Sequence, residues 1–372
     1  MKKFSRQSIP IILSILFFTP FLSSCGFKDI DKRIFVQGIA IDYTDNEEKP
    51  YKVTLKLAIP TGSLKESLGG KYAYLSREDS SIAGAIRILK THTDKELDFG
   101  HSRIILLGET LLNHNVEEVM DFLFRRRDIQ MVAWVAVGDP TAEKVLKAEP
   151  KTEMAASNVL TNLFSQNGVE SAYVVSTFLF DMRRKLLEPG IDPVLPVVQV
   201  NEDEKKLKAN KSVVLKVKSK HTHLSSKFTK SYNVLANNNT HYDLRIQEEN
   251  HHFLFAIDSV NIKYKIDTSS KETPTIKLKI TLRGIVEESF EDMSPKELDK
   301  YSRIASKAAK KNITDFLKMT QEENIDPMGF GLRYRATRLH NRDTFAEWKE
   351  IYPNLQFDVN VKASVESTGT IE

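Results

Sequence analysis

Cysteine is nearly absent from this chain of 372 residues, which contains a single one, Cys25. One cysteine cannot form a disulfide within the chain, and it excludes zinc sites built from several thiolates. The residue directly follows an apolar run near the N terminus. We therefore interpret Cys25 together with the residues that precede it.

No apolar run in the sequence has the length of a transmembrane helix. Three basic residues among the first six precede residues 9–22, IPIILSILFFTPFL. That run has the length of a signal-peptide h-region and is shorter than the roughly 20 residues that span a bilayer. The following Leu22-Ser23-Ser24-Cys25 is similar to a bacterial lipobox, in which the cysteine sulfur receives a diacylglyceryl group. We predict a lipoprotein signal peptide over residues 1–24 and lipid attachment at Cys25; an ordinary secretory signal is the alternative.

The chain also lacks a strong excess of charge of either sign. Its formal charge is +4, and removal of residues 1–24, with three basic residues and no acidic one, lowers it to +1. A nearly neutral mature chain gives no argument for nucleic-acid binding. The 41% hydrophobic and 28% charged residues are typical of globular proteins.

Motifs that carry chemistry are missing as well. The sequence has no phosphate-binding Gly-x-x-x-x-Gly-Lys loop, no Gly-x-Gly-x-x-Gly, no Gly-x-Ser-x-Gly and no His-Glu-x-x-His. Several histidines fall in the second half, without carboxylates or cysteines at a recognised ligand spacing: His221, His223, His241, His251 and His252. We interpret them as surface histidines and expect no catalytic residues, no metal and no cofactor.

The first half alternates strand-like and helix-like segments. Residues 33–43 and 51–59 read as paired strands, and the glycine-containing residues 60–78 read as a loop. Helices are expected near 81–90, 116–127, 152–166 and 175–187, and strands at 103–107 and 130–137. Asp139 and Pro140 suggest an N-cap and first position of another helix.

The second half follows the proline-rich residues 188–196 and the charge-rich residues 201–208. We place the main boundary there and predict an N-terminal α/β region of one or two subdomains, residues 25–200, and a C-terminal α+β domain, residues 201–372. Lys216, Lys218 and Lys220 would share one face of a strand over 213–220. A solvated sheet face is favoured for them over a contact with anionic lipid.

Strong alternation predicts further strands at 253–266, 276–282 and 355–366, with a β-bulge where the apolar parity switches between 257 and 260. A capping pattern at Ser294 starts a long helix over 295–320 with an apolar stripe. The predicted fold class is α+β and multidomain, with mixed and antiparallel sheets and packed helices. Its C-terminal domain is expected to be an antiparallel sheet covered by the long helix.

Several of these segments together resemble one known family. They are Cys25, Gly38-Ile39-Ala40-Ile41-Asp42, YKVTLKLAIP at 51–60, DPMGFG at 326–331, Glu347-Trp348-Lys349 and YPNLQFDVNVKASVESTG at 352–369. The chain thereby resembles the Ger(x)C family, the lipoprotein C subunits of spore germinant receptors. The resemblance implies a lipid anchor on the outer face of the inner spore membrane, two polytopic membrane subunits as partners, and a mixed α/β fold without known catalytic or cofactor residues.

Two hypotheses for function follow. The first is an accessory receptor subunit required for germination in response to small nutrients, with partner anchors among Arg335, Trp348 and Tyr352, although burial in the core is the favoured role of Trp348. The alternative is a lipid-anchored solute-binding protein or a cell-wall-associated enzyme. Gly329 and Gly331 mark either a partner-facing loop or, as we favour, a turn that needs positive φ to leave the long helix.

Overall fold

The computed structural model describes residues 30–368 except 60–71, 115, 151–155, 166–170, 202–205, 217–219, 238–241, 249–250, 269–273 and 339–342. Two sheets and the helices packed on them make up this part of the chain. The fold is α+β with mixed sheets, as the sequence predicted. No helix within the described residues is both long and apolar enough to cross a membrane.

The first sheet contains nine of the described strands, in the order β3-β2-β1-β5-β6-β7-β8-β9 with β4 also paired to β1. They are β1 (Arg33–Tyr43), β2 (Tyr51–Ala58), β3 (Tyr72–Asp79), β4 (Glu96–Asp98), β5 (Ile104–Gly108), β6 (Trp134–Asp139), β7 (Val194–Asn201), β8 (Lys206–Val214) and β9 (Thr222–Leu224). β1, β5, β6 and β7 run parallel, and the outer strands pair antiparallel. The alternation of side chains along β1 buries Ile39 on one face of the sheet and Ala40 on the other.

Seven helices accompany this sheet within the described residues: α1 (Ile82–Leu89), α2 (Glu109–Leu112), α3 (Val116–Arg125), α4 (Ala142–Lys147), α5 (Ala156–Ser165), α6 (Leu179–Leu187) and α7 (Ser226–Asn237). They cover both faces of the central strands, which explains why β5 is buried throughout.

The second sheet contains β10 (Tyr242–Glu248), β11 (His251–Asp267), β12 (Thr275–Ser289) and β13 (Gln356–Val365), in that order. Between β12 and β13 lie α8 (Leu298–Glu322), α9 (Phe330–Ala336) and α10 (Thr344–Ile351). The predicted bulge is confirmed, since the β11–β12 register shifts between Ile257 and Ser259. The apolar stripe of α8 packs against this sheet in one core cluster.

The expectation of a wholly antiparallel C-terminal sheet was wrong in its last strand. β13 pairs parallel with β12, because the chain between them crosses over the sheet through three helices. Helix α8 also covers the free edge of β13: Ala363 N–H donates to Ser306 Oγ at 2.8 Å, and Val365 N–H donates to Ser302 Oγ at 2.9 Å. These bonds satisfy edge groups that would otherwise be open to another strand.

Three local expectations outside the second sheet were also wrong. Part of the expected loop at 60–78 forms β3. The strand expected over 213–220 is also wrong: β8 ends at Val214, Lys216 lies beyond it, and Lys218 lies outside the described residues. Helix α4 begins at Ala142 with Thr141 as its N-cap, because Asp139 still belongs to β6. The Asp139–Pro140 peptide bond is cis.

The predicted boundary between residues 200 and 201 falls at the end of β7. β7 and β8 pair antiparallel within the first sheet, so the chain on both sides of the boundary contributes strands to that sheet. The division into a 25–200 region and a 201–372 domain stays a prediction.

Candidate functional site

The two glycines of the 326–331 segment lie at the start of α9, in the interior of the protein. Gly329 is the N-cap of α9 and has φ +69°, a conformation that favours glycine. The positive φ at the end of the long helix belongs instead to Asn324, at +50°. The prediction of a positive φ at Gly329 was therefore right. The prediction that this φ serves the end of the long helix was wrong, because it serves the start of α9.

Asp326 holds this turn together. Its carboxylate accepts hydrogen bonds from Phe330 N–H at 3.0 Å and from Gly331 N–H at 2.6 Å. Burial raises the pKa of Asp326 to about 7, although these two N–H groups favour its ionised form and act against the shift. The side chain therefore titrates near neutral pH in the interior of the protein.

The segment at 188–192 packs directly on this turn. Asp326 N–H donates to the Asp192 carboxylate at 2.6 Å, and Asp192 N–H donates to the Asp326 carbonyl at 3.0 Å. Leu332 N–H donates to the Gly190 carbonyl at 2.8 Å. We call residues 188–192 with 326–335 the junction, because they join segments that are far apart in the sequence.

The three predicted partner anchors lie in or beside the junction and have internal contacts. Arg335 forms an ion pair with Glu188 at 2.7 Å and donates to the Pro189 carbonyl. Trp348 is buried, and the buried Tyr352 hydroxyl donates to the Ile325 carbonyl at 2.7 Å. Arg335 thereby joins α9 to residues 188–189, and the rings of Trp348 and Tyr352 are buried inside the protein.

A separate cavity opens beside α3. Its volume is about 750 Å³, within the range typical of ligand pockets. Apolar side chains form most of its wall: Leu112, Val116, Met120, Phe124, Leu186, Leu187 and Leu215. Its polar lining is Asn113, His114, Glu117, Asp121, Lys216, Lys220 and His221. We call it the α3 cavity; it could receive an apolar group of a small molecule or of a protein partner.

His221 fixes one wall of the α3 cavity. Its Nδ1 accepts from Lys216 N–H at 3.0 Å, and its Nε2 hydrogen-bonds the Leu112 carbonyl. Burial lowers the pKa of His221, so the ring is neutral at pH 7 and Nε2 carries the proton it donates. The side chain thereby ties the loop after β8 to the end of α2.

The other histidines do not assemble a site. His223 pairs with Glu109 at 3.0 Å, and this hydrogen bond raises the pKa of His223. His251 contacts Glu291 at 2.8 Å, and His241 lies outside the described residues. Within the part of the chain that the structure describes, no group of three or more His, Cys, Asp or Glu side chains could hold a metal ion.

Sequence reasoning missed the α3 cavity and the junction. The cavity joins residues near 112, 120, 186 and 215, and no local pattern indicates that these segments meet. The repeated Ile-Asp-Pro at 191–193 and 325–327 was a signal for the junction, because its two aspartates bond across it. Cys25, the predicted lipid attachment residue, lies outside the described residues.

Comparisons with known proteins match two family descriptions. Residues 26–200 match the "Spore germination protein N-terminal domain", and residues 210–369 match "Spore germination B3/ GerAC like, C-terminal". Spore germination protein GerQC of Bacillus cereus is 23% identical over 376 residues, covering 99% of each chain. Spore germination protein KC of Bacillus subtilis (strain 168) is 21% identical and covers 92% of this chain and 91% of its own.

A solved structure shares the fold. The crystal structure of the GerBC protein superposes with a TM-score of 0.54 at 18% identity and covers 88% of this chain and 97% of its own. The two family matches cover nearly all of the sequence after Cys25 and confirm the resemblance found from the sequence. The chain therefore belongs to the Ger(x)C family of spore germination proteins, whose members are C subunits of germinant receptors and not enzymes.

Proposed function

We propose that the chain is a lipid-anchored accessory subunit of a spore germinant receptor, required for germination in response to small nutrients. It is attached through a diacylglyceryl group on Cys25 to the outer face of the inner spore membrane. Its partners are the two polytopic membrane subunits of the same receptor. In this proposal the subunit consists of an N-terminal α/β region, residues 25–200, and a C-terminal α+β domain, residues 201–372.

One observation supports lipid attachment at Cys25. The N-terminal family match begins at residue 26, directly after the single cysteine. Everything before Cys25 is therefore outside the family domain and has the composition of a signal peptide. Two acyl chains on one residue satisfy the requirement for stable membrane attachment, whereas a single chain gives only reversible binding.

The first experiment tests the anchor. We expect Cys25→Ser to abolish incorporation of radioactive palmitate in cells that produce the chain, because no other thiol is present. Ser24→Ala is the matched control, since it keeps the cysteine and a small residue before it. Normal labelling of the Cys25→Ser protein would eliminate the lipid attachment proposed here.

The second experiment tests the receptor role. Spores that lack the gene should lose the germination response to at least one nutrient tested singly and keep their response to a nutrient-independent trigger. The wild-type gene, supplied in trans, should restore the lost response, and Cys25→Ser should restore it poorly. Spores that respond normally to every nutrient would argue against a receptor subunit.

The α3 cavity favours one part of the alternative, a lipid-anchored solute-binding protein. Its volume and apolar wall are compatible with a small ligand. The architecture differs from a two-lobed solute-binding protein, however, because the second sheet is built from antiparallel strands and one parallel edge strand without βαβ repeats. We therefore keep the receptor subunit as the proposed function.

A further inference from the structure

Exposed apolar side chains concentrate at one edge of the first sheet. In the described part of the chain, eight large hydrophobic side chains are exposed, and four of them belong to this edge. They are Ile30 (69% exposed), Ile59 (41%), Val132 (57%) and Phe180 (46%). We call these four residues the apolar edge.

Backbone pairing places Ile30 and Ile59 together at the start of β1. Ile30 begins the turn that leads into β1, and Phe35 near the start of β1 pairs with Ala58. β2 runs antiparallel to β1, so Ile59 follows Ala58 at the edge where β1 begins. Ile30 and Ile59 therefore both lie at the end of the sheet where β1 begins.

Val132 and Phe180 lie at the same edge. β1, β5 and β6 run parallel, so Val132, two residues before β6, lies at the edge where β1 begins. Phe180 N–H donates to the Met131 carbonyl at 2.9 Å, which places α6 beside Val132. Phe99 directly follows β4, and β4 pairs with the first residues of β1. The Arg126 guanidinium lies 4.4 Å from the centre of the Phe99 ring, so the chain just before Val132 is also near the start of β1.

A row of stacked rings supports Phe180. Its ring centre lies 5.5 Å from that of Phe178, which stacks on Trp134 at 3.7 Å. Trp134 in turn packs against the core on one face of the first sheet. An exposed ring held in this way loses little conformational freedom when it enters another medium.

The charges at this edge balance. Lys32, Arg103 and Arg127 are exposed there, and so are Asp31, Glu96 and Asp128. A strongly basic patch would indicate electrostatic attraction to acidic headgroups. A balanced set around exposed Ile, Val and Phe favours shallow burial of the apolar groups at the boundary of headgroups and acyl chains.

The chain outside the described residues leads to the same edge. The described structure starts at Ile30, and Cys25 lies five residues earlier. Five residues span at most about 18 Å even when fully extended. A bilayer holding a lipid on Cys25 would therefore be within reach of the apolar edge.

We propose that the apolar edge is the surface with which this protein rests on a phospholipid bilayer, its four side chains entering the interfacial layer. This inference rests on one premise of the proposed function, that a bilayer lies near Cys25. It fixes an orientation: the start of β1 faces the membrane, and residues elsewhere on the surface face away from it.

The test uses the chain from Cys25 onward, which contains every described element. Its single thiol is coupled to a maleimide lipid in phosphatidylcholine vesicles, so the tether does not depend on lipidation in cells. Phe180→Trp adds a fluorescent probe at the edge, and Phe290→Trp adds the matched probe at a side chain that is 70% exposed on the second sheet. Each variant is compared with the parent chain in vesicles with and without brominated acyl chains.

We expect brominated lipid to remove most of the added fluorescence of Phe180→Trp and little of that of Phe290→Trp. Equal quenching of the two probes, or no quenching of either, would overturn the proposal. An edge that serves a protein partner would also leave Phe180→Trp unquenched, because these vesicles contain no other protein.

A binding measurement gives a second readout on the same chain without the tether. Val132→Asp and Phe180→Asp should each lower co-flotation with phosphatidylcholine vesicles, whereas Phe290→Asp should leave it unchanged. Because burial of apolar groups is the driving term, raised salt should not release the parent chain. Loss of flotation in salt, or an equal effect of all three variants, would contradict the assignment.

Discussion

At the scale of single residues, tight packing explains Gly331 better than contact with a partner does. A Cβ at this position would lie 2.5 Å from Cδ1 of Trp348, beside the junction, and 2.9 Å from Cα of Gly190, within it. The first is a buried ring and the second is backbone, so neither can move away easily. Glycine at 331 is therefore required for the close approach of α9 to two neighbouring segments.

We expect Gly331→Val to lower the stability of the chain by about 1–3 kcal/mol, the usual cost of forcing atoms into a packed site. Ala336→Val is the control, because it adds a β-branched side chain at an exposed position of the same helix. Thermal melting measures both. A Gly331→Val protein that melts like wild type but fails in the receptor would return this glycine to the partner-facing interpretation.

The shifted pKa of Asp326 has a consequence for stability against pH. Its carboxyl has a pKa of about 7 in the folded protein and about 3.9 in an unfolded chain. Between these values the folded state binds more protons than the unfolded state, so stability falls as pH rises towards 7. The slope is on the order of 1 kcal/mol per pH unit at most.

Asp326→Asn removes this titration. We expect the melting temperature of wild type to fall more steeply between pH 5 and pH 7 (about the interval between the two pKa values) than that of Asp326→Asn. Asp343→Asn, the same change at the exposed N-cap of α10, is the control for the substitution of an aspartate by an asparagine. Parallel pH profiles for wild type and Asp326→Asn would show that Asp326 is ionised in the folded protein.

At the scale of elements, a side chain of β1 caps the N terminus of helix α4. The buried carboxylate of Asp42, at the end of β1, accepts from Ala142 N–H at 2.7 Å and from Glu143 N–H at 2.9 Å. These are the first two residues of α4, where N–H groups have no partner within the helix. Asp42 therefore couples the position of α4 to the central strand.

Asp42→Ala should destabilise the chain by about 2 kcal/mol, because it leaves buried N–H groups without an acceptor. Ser81→Ala, which removes the local cap of α1, should cost only about 1 kcal/mol. Denaturant unfolding of both variants gives the comparison. A smaller loss for Asp42→Ala than for Ser81→Ala would mean that water replaces the carboxylate.

How far the sequence determines these elements depends on the range of the interactions. The bulge in β11 was predictable because the apolar parity of a strand follows its own pleat, and a switch of parity requires an extra residue. β3 was missed because its residues are half-buried, with a weak pattern. The parallel direction of β13 could not be predicted, since alternation is the same in both directions and the pairing depends on a crossover through three helices.

The same argument applies to the candidate sites. The absence of catalytic motifs and the position of Cys25 are properties of the sequence itself, and lipid attachment at Cys25 stays a prediction. The α3 cavity and the Asp192–Asp326 contact join residues separated by about a hundred positions or more, which no local period encodes. Trp348 was predicted to be buried, and it is. Arg335 could not be assigned until its partner Glu188 was visible.

At the scale of the whole molecule, the parts divide into those that hold the fold and those left free to act. The DPMGFG motif at 326–331 forms its hydrogen bonds within the junction, so this motif stabilises the fold. The apolar edge and the α3 cavity remain open to other molecules. In the proposed orientation the apolar edge faces the bilayer, and the α3 cavity is open to a ligand or a partner subunit.

Binding of the nutrient by the isolated chain distinguishes these two occupants of the α3 cavity. The wall of the cavity is mostly apolar. It also contains basic and acidic side chains, such as Lys216 and Glu117. We expect residues 26–372 to be folded and to bind the triggering amino acid or sugar weakly or not at all, since a polar nutrient gains little from an apolar wall. Isothermal titration calorimetry with that nutrient measures the affinity. Stoichiometric binding at micromolar Kd or better, about −8 kcal/mol, that is lost in Met120→Trp but kept in Phe290→Trp would place the nutrient in the cavity and favour the solute-binding alternative.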